Sequence, residues 1–445
     1  MYKYVACSFA DERGECWVNT TKMKYGFEEV NIQINKSNLL GFIQSKGTEN
    51  NNSEEHIILE ALNNPIGSQK LKKLIKPGET VCIIISDITR AWQKPELYLP
   101  YILKELSDSG IVDEDITFLC ATGSHRRQSE KEHSILLGEK LTKRFKVNDH
   151  DCRDKENLMH IGTTSFGTPV TINKKALQCD HIVLTGAIVF HDLVGFGGGK
   201  KSILPGIAAY ESIMANHKLS LNPSFGEGTD FQVRCGNVEN NSVHLDMLEA
   251  ADFVKPTFLF NVIVNEAGNI VNAVAGDYIK AHEAGRQMVD EADSAYIKEQ
   301  ADIVIVSTGG YPKDIDFYQA SKALINAKEA VKKDGVIILL SECIEGFGGE
   351  EVQQMLEEFS DNYSREKALR EIFSIAKYTG YLIAEIAEHY NVILVSSLNS
   401  KGLRNANIKV ATDVNDALTI ALKQKGKDAK IYLMPNGANT LPRLI

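Results

Sequence analysis

Short, uninterrupted apolar runs recur along the chain and set its architecture. Runs rich in isoleucine and valine occupy residues 81–86, 116–120, 181–189, 257–264, 301–306, 335–341, 391–396 and 430–434. They lack the polar–apolar alternation of half-exposed strands, so they predict strands buried on both faces, as in parallel sheets. Between several of them lie stretches with helical spacing, over residues 95–107, 208–219, 316–333 and 364–390. Alternation of this kind predicts an α/β fold. Residues 280–298 read as a polar connecting helix with a solvated face, and residues 414–425 as a second connector. The expectation is two α/β domains with mainly parallel sheets facing an interdomain cleft. Residues 1–279, joined by 426–445, form the first and residues 280–425 the second.

Composition narrows the class. A chain of 445 residues is long enough for two or three domains with full cores. Its net charge of −10, with acids and bases interspersed, argues against nucleic acid as a partner. The eight cysteines (Cys7, Cys16, Cys82, Cys120, Cys152, Cys179, Cys235 and Cys343) contain no CxxC pair and fit neither a disulfide framework nor a zinc site. The N-terminus has no long apolar core of a signal peptide, and no run is long enough to span a bilayer. A cytoplasmic protein without a membrane partner is expected.

The residues just past the apolar runs carry the candidate chemistry. Ser86-Asp87-Ile88-Thr89-Arg90 ends the first run, Thr122-Gly123-Ser124-His125-Arg126 comes after the second, and His191 after the third. In open α/β sheets, ligands sit outside the carboxyl ends of the strands. Asp87 and Arg90 share one short loop, where an arginine suits a bidentate grip on a carboxylate or phosphate. Further on, Tyr318, Gln319 and Lys322 open a predicted helix that Asp314 or Asp316 can cap. Gln319 and Lys322, three apart, share a face.

The densest signal is Gly195-Phe-Gly197-Gly198-Gly199-Lys200-Lys201-Ser202. Three glycines allow close backbone approach, and free N–H groups in such a loop make an anion-binding concavity to which the lysines add charge. It reads as a phosphate cradle, yet it matches no common nucleotide signature. A P-loop needs glycine directly before the Lys-Ser/Thr pair, and Ser202 comes one residue late. A Rossmann fingerprint starting at Gly195 and Gly197 requires glycine where Lys200 stands. Histidine can serve as acid, base or metal ligand. Position favours His125 and His191, with His217 weighed beside them in a helix-like segment. His133, His150, His160, His181, His244, His282 and His389 read as structural or surface residues. There is no HExxH, cysteine cluster or EF-hand pattern.

In their joint order these pieces resemble the nickel-pincer lactate racemase family, from Asp87 to the C-terminus. The resemblance implies two α/β domains and a nickel-pincer nucleotide, pyridinium-3,5-bisthiocarboxylic acid mononucleotide nickel, which can be tethered to a lysine; Lys201 matches that position. It implies His217 as the nickel ligand and His125 and His191 as paired acid/base residues. Arg90, Tyr318, Gln319 and Lys322 match substrate-binding positions, Asp87 lies near the cofactor, and Gly197, Gly198, Gly199 and Ser202 belong to its cradle. The implied reaction inverts the hydroxyl-bearing C2 of a small-molecule 2-hydroxy acid by hydride transfer.

Two departures bear on the substrate. Family members acting on lactate often carry a small polar residue three beyond the second histidine, where this chain has Val194. They also carry a tryptophan in the C-terminal domain, where residues 377–382 offer tyrosines. The expected substrate is therefore larger or more polar than lactate: malate, an aryl hydroxy acid, or an aldonate such as gluconate. Two other readings stand beside this one. The first is a non-catalytic protein that binds a phosphorylated ligand or the cofactor. The second is a metal-dependent hydrolase or lyase using the histidines with Glu342 or Glu345.

Overall fold

The computed structural model describes residues 17–398 and 401–445. They divide into two compact units, residues 47–221 with 230–292, and residues 17–46 with 222–229 and 293–445. Cys7 and Cys16 lie outside the described residues. Cys82, Cys120, Cys152, Cys235 and Cys343 are buried free thiols and Cys179 is half-buried.

The first unit is built on a six-stranded sheet. Its order is Ile270–Gly276, Phe258–Val264, His181–Ala187, Val81–Ser86, Ile116–Ala121 and Val147–Asp149. All neighbours run parallel except the first pair. The apolar runs mark these strands because both faces are covered. Ile83 and Ile85 of the central strand pack with Phe118, Val183, Phe258 and the helix Pro95–Asp108 through Tyr98, Leu99 and Ile102.

The second unit holds a wholly parallel six-stranded sheet. Its order is Ile408–Ala411, Asn391–Val395, Val331–Leu340, Ala301–Ser307, Ile431–Met434 and Leu39–Phe42. Its core joins Ile303, Ile305, Ile338 and Ile393 to the helix Val414–Lys425. The predicted helix over 364–390 is two helices, Asn362–Glu371 and Ile375–His389. Ser374 starts the second by accepting the Lys377 N–H.

The division differs from the expected one at both ends. The strand Ile431–Met434 lies between Ala301–Ser307 and Leu39–Phe42 rather than in the first sheet. Its four residues are all buried and apolar, so they require a parallel neighbour on each side, and residues 39–42 supply the second. At the other boundary, the helix Lys280–Asp293 belongs almost wholly to the first unit and is not simply solvated. Its Ala281, His282, Gly285 and Val289 are buried. Among the described residues no helix is long and apolar enough to cross a membrane.

Candidate active site

Three neighbouring strands of the first unit deliver their ends to one edge of the sheet. Ser86 lies in register with Ala121, and Ile84 with Leu184. The loops beyond these ends carry Asp87 and Arg90, His125, and His191 respectively.

Asp87 is the hub of the central loop. It is buried, and its Oδ1 accepts from the Thr89 N–H at 2.9 Å and the Thr89 hydroxyl at 2.5 Å, capping the tight turn Ile88–Gln93. Its Oδ2 lies 2.5 Å from His125 Nδ1. Burial pushes the Asp87 carboxyl up, but the hydrogen bonds from His125 and Thr89 and the charge of Arg90 outweigh it, and the net shift is downward. The carboxylate is therefore ionised and accepts only. His125 must donate from Nδ1, leaving Nε2 to exchange protons. The imidazole itself is half-exposed. Its loop is fixed from below: the buried Thr122 hydroxyl donates to the His150 carbonyl at 2.7 Å and the Gly123 N–H to the Gly206 carbonyl at 2.9 Å.

His191 sits in a different environment. Phe190–His191 pairs antiparallel with Gly195–Phe196, which turns the chain back sharply toward the glycine loop. Asp192 Oδ1 lies 2.9 Å from His191 Nδ1, so a proton on that nitrogen is donated to the carboxylate, with the Leu193 nitrogen 3.2 Å from the same atom. The ring is anchored through Nδ1. Burial and the positive charge of Lys201 hold its pKa down to about 4, against the opposing pull of Asp192, and Arg90 adds to the depression. The imidazole is neutral at neutral pH.

His217 is buried on the helix Tyr210–Lys218. Its Nδ1 lies 2.9 Å from the Ile213 carbonyl one turn back. A carbonyl only accepts, so the proton is on Nδ1 and the Nε2 lone pair is left for a ligand, the usual arrangement of a metal-binding histidine. Burial, then the charges of Lys201 and His191, lower its pKa to about 3. Next to it on the helix, Asn216 Nδ2 donates to Asp246 Oδ2 at 2.7 Å and to the Val243 carbonyl at 3.1 Å, which pins this helix to Ser242–Val254.

The glycine loop is tighter than its sequence implies. The Gly197 N–H is spent on the Val189 carbonyl at 2.8 Å and that of Gly199 on Asn261 Oδ1 at 2.8 Å. The expected row of free N–H groups is thus partly used up in holding the loop to the sheet. Gly198 and Gly199 have φ of 74° and 56°. A Cβ on Gly198 would stand 2.6 Å from Asn261 Oδ1, and one on Gly199 would stand 2.7 Å from the His282 ring. Ser202 turns inward, 3.4 Å from the Thr185 carbonyl. Lys201 is close enough to both His191 and His217 for its charge to depress them.

Sequence reasoning missed the supports behind this loop. His282 Nε2 donates to the Gly197 carbonyl at 2.8 Å, and His244 Nδ1 lies 3.2 Å from the Val194 carbonyl. His244 Nε2 is 3.2 Å from the buried Lys200 Nζ. Burial, then the charges of Arg286 and Lys201, push the Lys200 amine well below its ordinary value. The one available signal was Asn261, a lone polar residue in the apolar run Phe258–Val264.

The second unit carries the remaining candidates. Asp316 caps the helix Phe317–Ala327, its Oδ1 accepting the Gln319 N–H at 2.7 Å. Lys322 Nζ donates to Gln319 Oε1 at 2.8 Å, as the three-residue spacing predicts. The Tyr318 N–H donates to the Phe347 carbonyl. Asp314 is not the cap; it is buried and accepts the Gly26 N–H at 2.6 Å.

A sheet edge that holds one imidazole against a carboxylate and a second one neutral is equipped to move protons to and from a bound molecule, which is the work of an enzyme. Relatives agree. Residues 25–228 match the lactate racemase N-terminal domain and residues 297–441 the lactate racemase C-terminal domain. The chain is 34% identical over 434 residues to a lactate racemase of Thermoanaerobacterium thermosaccharolyticum, covering 95% of this chain and 99% of that protein. It is 33% identical over 429 residues to one of Lactiplantibacillus plantarum, covering 94% and 98%. The lactate racemase apoprotein structure from T. thermosaccharolyticum superposes with a TM-score of 0.86, at 34% identity, over 96% of this chain and 100% of that one. A protein from Thermotoga maritima, at 18% identity and a TM-score of 0.63 over 89% and 100% of the two chains, shares the fold. The chain belongs to the lactate racemase family and is an isomerase.

Proposed function

We propose that this isomerase inverts the hydroxyl-bearing C2 of a 2-hydroxy acid, with His125 and His191 as its two acid/base groups and a nickel-pincer nucleotide as cofactor. The observation that carries the reading is the pair of imidazoles beyond the ends of the two strands that flank Val81–Ser86, one donating Nδ1–H to Asp87 and the other held neutral by burial and Lys201.

The residues fit that cofactor. Among the described residues no group of three or more His, Cys, Asp or Glu could hold a metal ion, so a metal here would need most of its donors from a ligand. His217 offers the single free nitrogen such a ligand would leave room for. Lys201 would carry the tether, and the glycine loop, too tight for a Cβ at residues 198 and 199, would seat the nucleotide. When bound, the cofactor supplies the hydride acceptor and donor that no side chain provides.

The chain's own groups do the rest. Nε2 of one histidine takes the substrate hydroxyl proton as the C2 hydrogen leaves with its electron pair, giving a planar 2-keto acid. The same histidine, or the other, returns a proton to the oxygen according to which face receives the hydrogen back. A reaction whose two directions are mirror images calls for a base for each enantiomer. Arg90 would grip the substrate's carboxylate, and on the second unit the resemblance gives Gln319 and Lys322, with Tyr318 beside them, substrate-binding roles.

The substrate we favour is larger or more polar than lactate. Val194 is buried, with its carbonyl held by His244, and the second unit's described residues contain no tryptophan beyond residue 17. Tyr378 and Tyr381 of the helix Ile375–His389 are buried. Lactate itself is the second reading, favoured by the names of both relatives. The test is to incubate cofactor-loaded enzyme with enantiopure lactate, malate, an aryl 2-hydroxy acid and gluconate, each deuterated at C2. Inversion with deuterium retained at C2 supports the scheme. Inversion with complete exchange into water would replace hydride transfer by carbanion chemistry.

A further inference from the structure

The stretch 124–130 beyond the second strand is exposed at every position but one, Gln128. That side chain makes two bonds to two different loops. Its Oε1 accepts the Ile88 N–H at 3.1 Å, and its Nε2 donates to the Arg126 carbonyl at 2.8 Å. Its own N–H donates to Asp149 Oδ2 at 2.9 Å, and Asp149 Oδ1 is steadied by His133 Nε2 at 2.9 Å. Ile88 directly follows Asp87, and Arg126 directly follows His125. One amide therefore clips together the backbones that carry the two partners of the 2.5 Å pair.

We propose that Gln128 is a positioning residue that sets His125 against Asp87, and so fixes the proton of the His125 ring on Nδ1 with Nε2 turned outward. The physical need is plain. His125 is half-exposed, in a loop held from below at Thr122 and Gly123, and an exposed imidazole left to itself samples several rotamers and both tautomers. Asp87 is already fixed by Thr89 on its own loop. What remains to be set is the distance between the loops, and Gln128 spans them. The significance for turnover rests on the acid/base role proposed for His125; the positioning itself does not.

The experiment uses the full-length protein with ¹⁵N-labelled histidine. Wild-type, Gln128→Met and Asp87→Asn are compared by the ring ¹⁵N shifts of His125, assigned by its loss in His125→Gln. Gln128→Met keeps the volume and removes both bonds. It is expected to move the His125 ring from Nδ1–H toward Nε2–H, as Asp87→Asn does. In loaded enzyme it is expected to lower kcat about 10- to 100-fold, with a smaller change in KM. The double variant should turn over no more slowly than Asp87→Asn alone, because both act on one pair. An unchanged tautomer in Gln128→Met would overturn the proposal, as would losses that multiply in the double variant. A tautomer shift with undiminished turnover would uphold the positioning and overturn the role of His125 in catalysis. Should the Met variant fail to fold, Gln128→Glu, which keeps an acceptor for Ile88 but loses the donor to Arg126, is read in the same way.

Discussion

At the scale of single residues the two imidazoles proposed as acid/base groups are unlike. His125 Nδ1 faces an ionised carboxylate, which holds the ring in one tautomer and orientation. Asp87→Asn keeps the shape but can offer the amide N–H where an acceptor is needed, so the ring adopts the other tautomer. We expect kcat to fall by about 10²- to 10⁴-fold with the fold unchanged by circular dichroism. His217→Ala removes the free ring nitrogen on the helix Tyr210–Lys218. Metal analysis of loaded protein should then show most of the nickel lost while the wild type retains it. Asp87, Arg90, His125 and His191 were legible in the sequence because they lie just past apolar runs. Thr89, Asp192, Gln128 and His282 were not. Each matters through a contact with a loop from another part of the chain or through a turn whose shape appears only on folding.

At the scale of elements, the glycine loop is a case of backbone demand exceeding what its motif announces. The sequence indicated an anion cradle; the structure shows that the loop's own N–H groups first bind it to Val189 and Asn261. Gly198→Ala would force a left-handed residue to carry a Cβ 2.6 Å from Asn261 Oδ1 and 2.7 Å from the Ala187 carbonyl. Strain and displacement together should cost about 1–3 kcal/mol, and bound cofactor should be lost more readily on dialysis than from wild type. The helix Phe317–Ala327 offers a milder test. Asp316 caps it through the Gln319 N–H, so Asp316→Ala should lower stability by about 1 kcal/mol in urea unfolding. Because the cap sits on Gln319, which we propose as a substrate-binding residue, KM for the substrate should rise as well.

At the scale of the whole molecule, eight apolar runs gave eight strands of two sheets, since a parallel strand covered on both faces leaves a continuous signature. Assignment to domains was less legible. Leu39–Phe42 contains a glycine and only half-buried positions, and nothing local says that it pairs with residues almost four hundred positions later. The same long-range closure hides a set of neutral histidines. His244 and His282 were read as structural, and they are buried beneath the glycine loop beside Lys200. Burial and the charge of Lys200 lower His244 to about 3 and push His282 well below its ordinary value; burial also lowers His150. In the unfolded chain each would titrate near pH ~6.5. As pH falls below that, the unfolded chain takes up protons that the folded state refuses, so stability declines on acidification at up to about 1.4 kcal/mol per pH unit for each such histidine. Above pH ~6.5 both states leave these rings neutral, and they impose no slope. Thermal unfolding of the cofactor-free protein should therefore fall steeply from pH ~6.5 downward, while on the alkaline side the buried Lys200, held well below its ordinary value, makes stability rise with pH. His244→Gln, which keeps an amide donor for the Val194 carbonyl but cannot take up the proton, should unfold with a shallower acid slope than wild type. An identical slope in the two proteins would mean that the ring under the loop is already charged in the folded state.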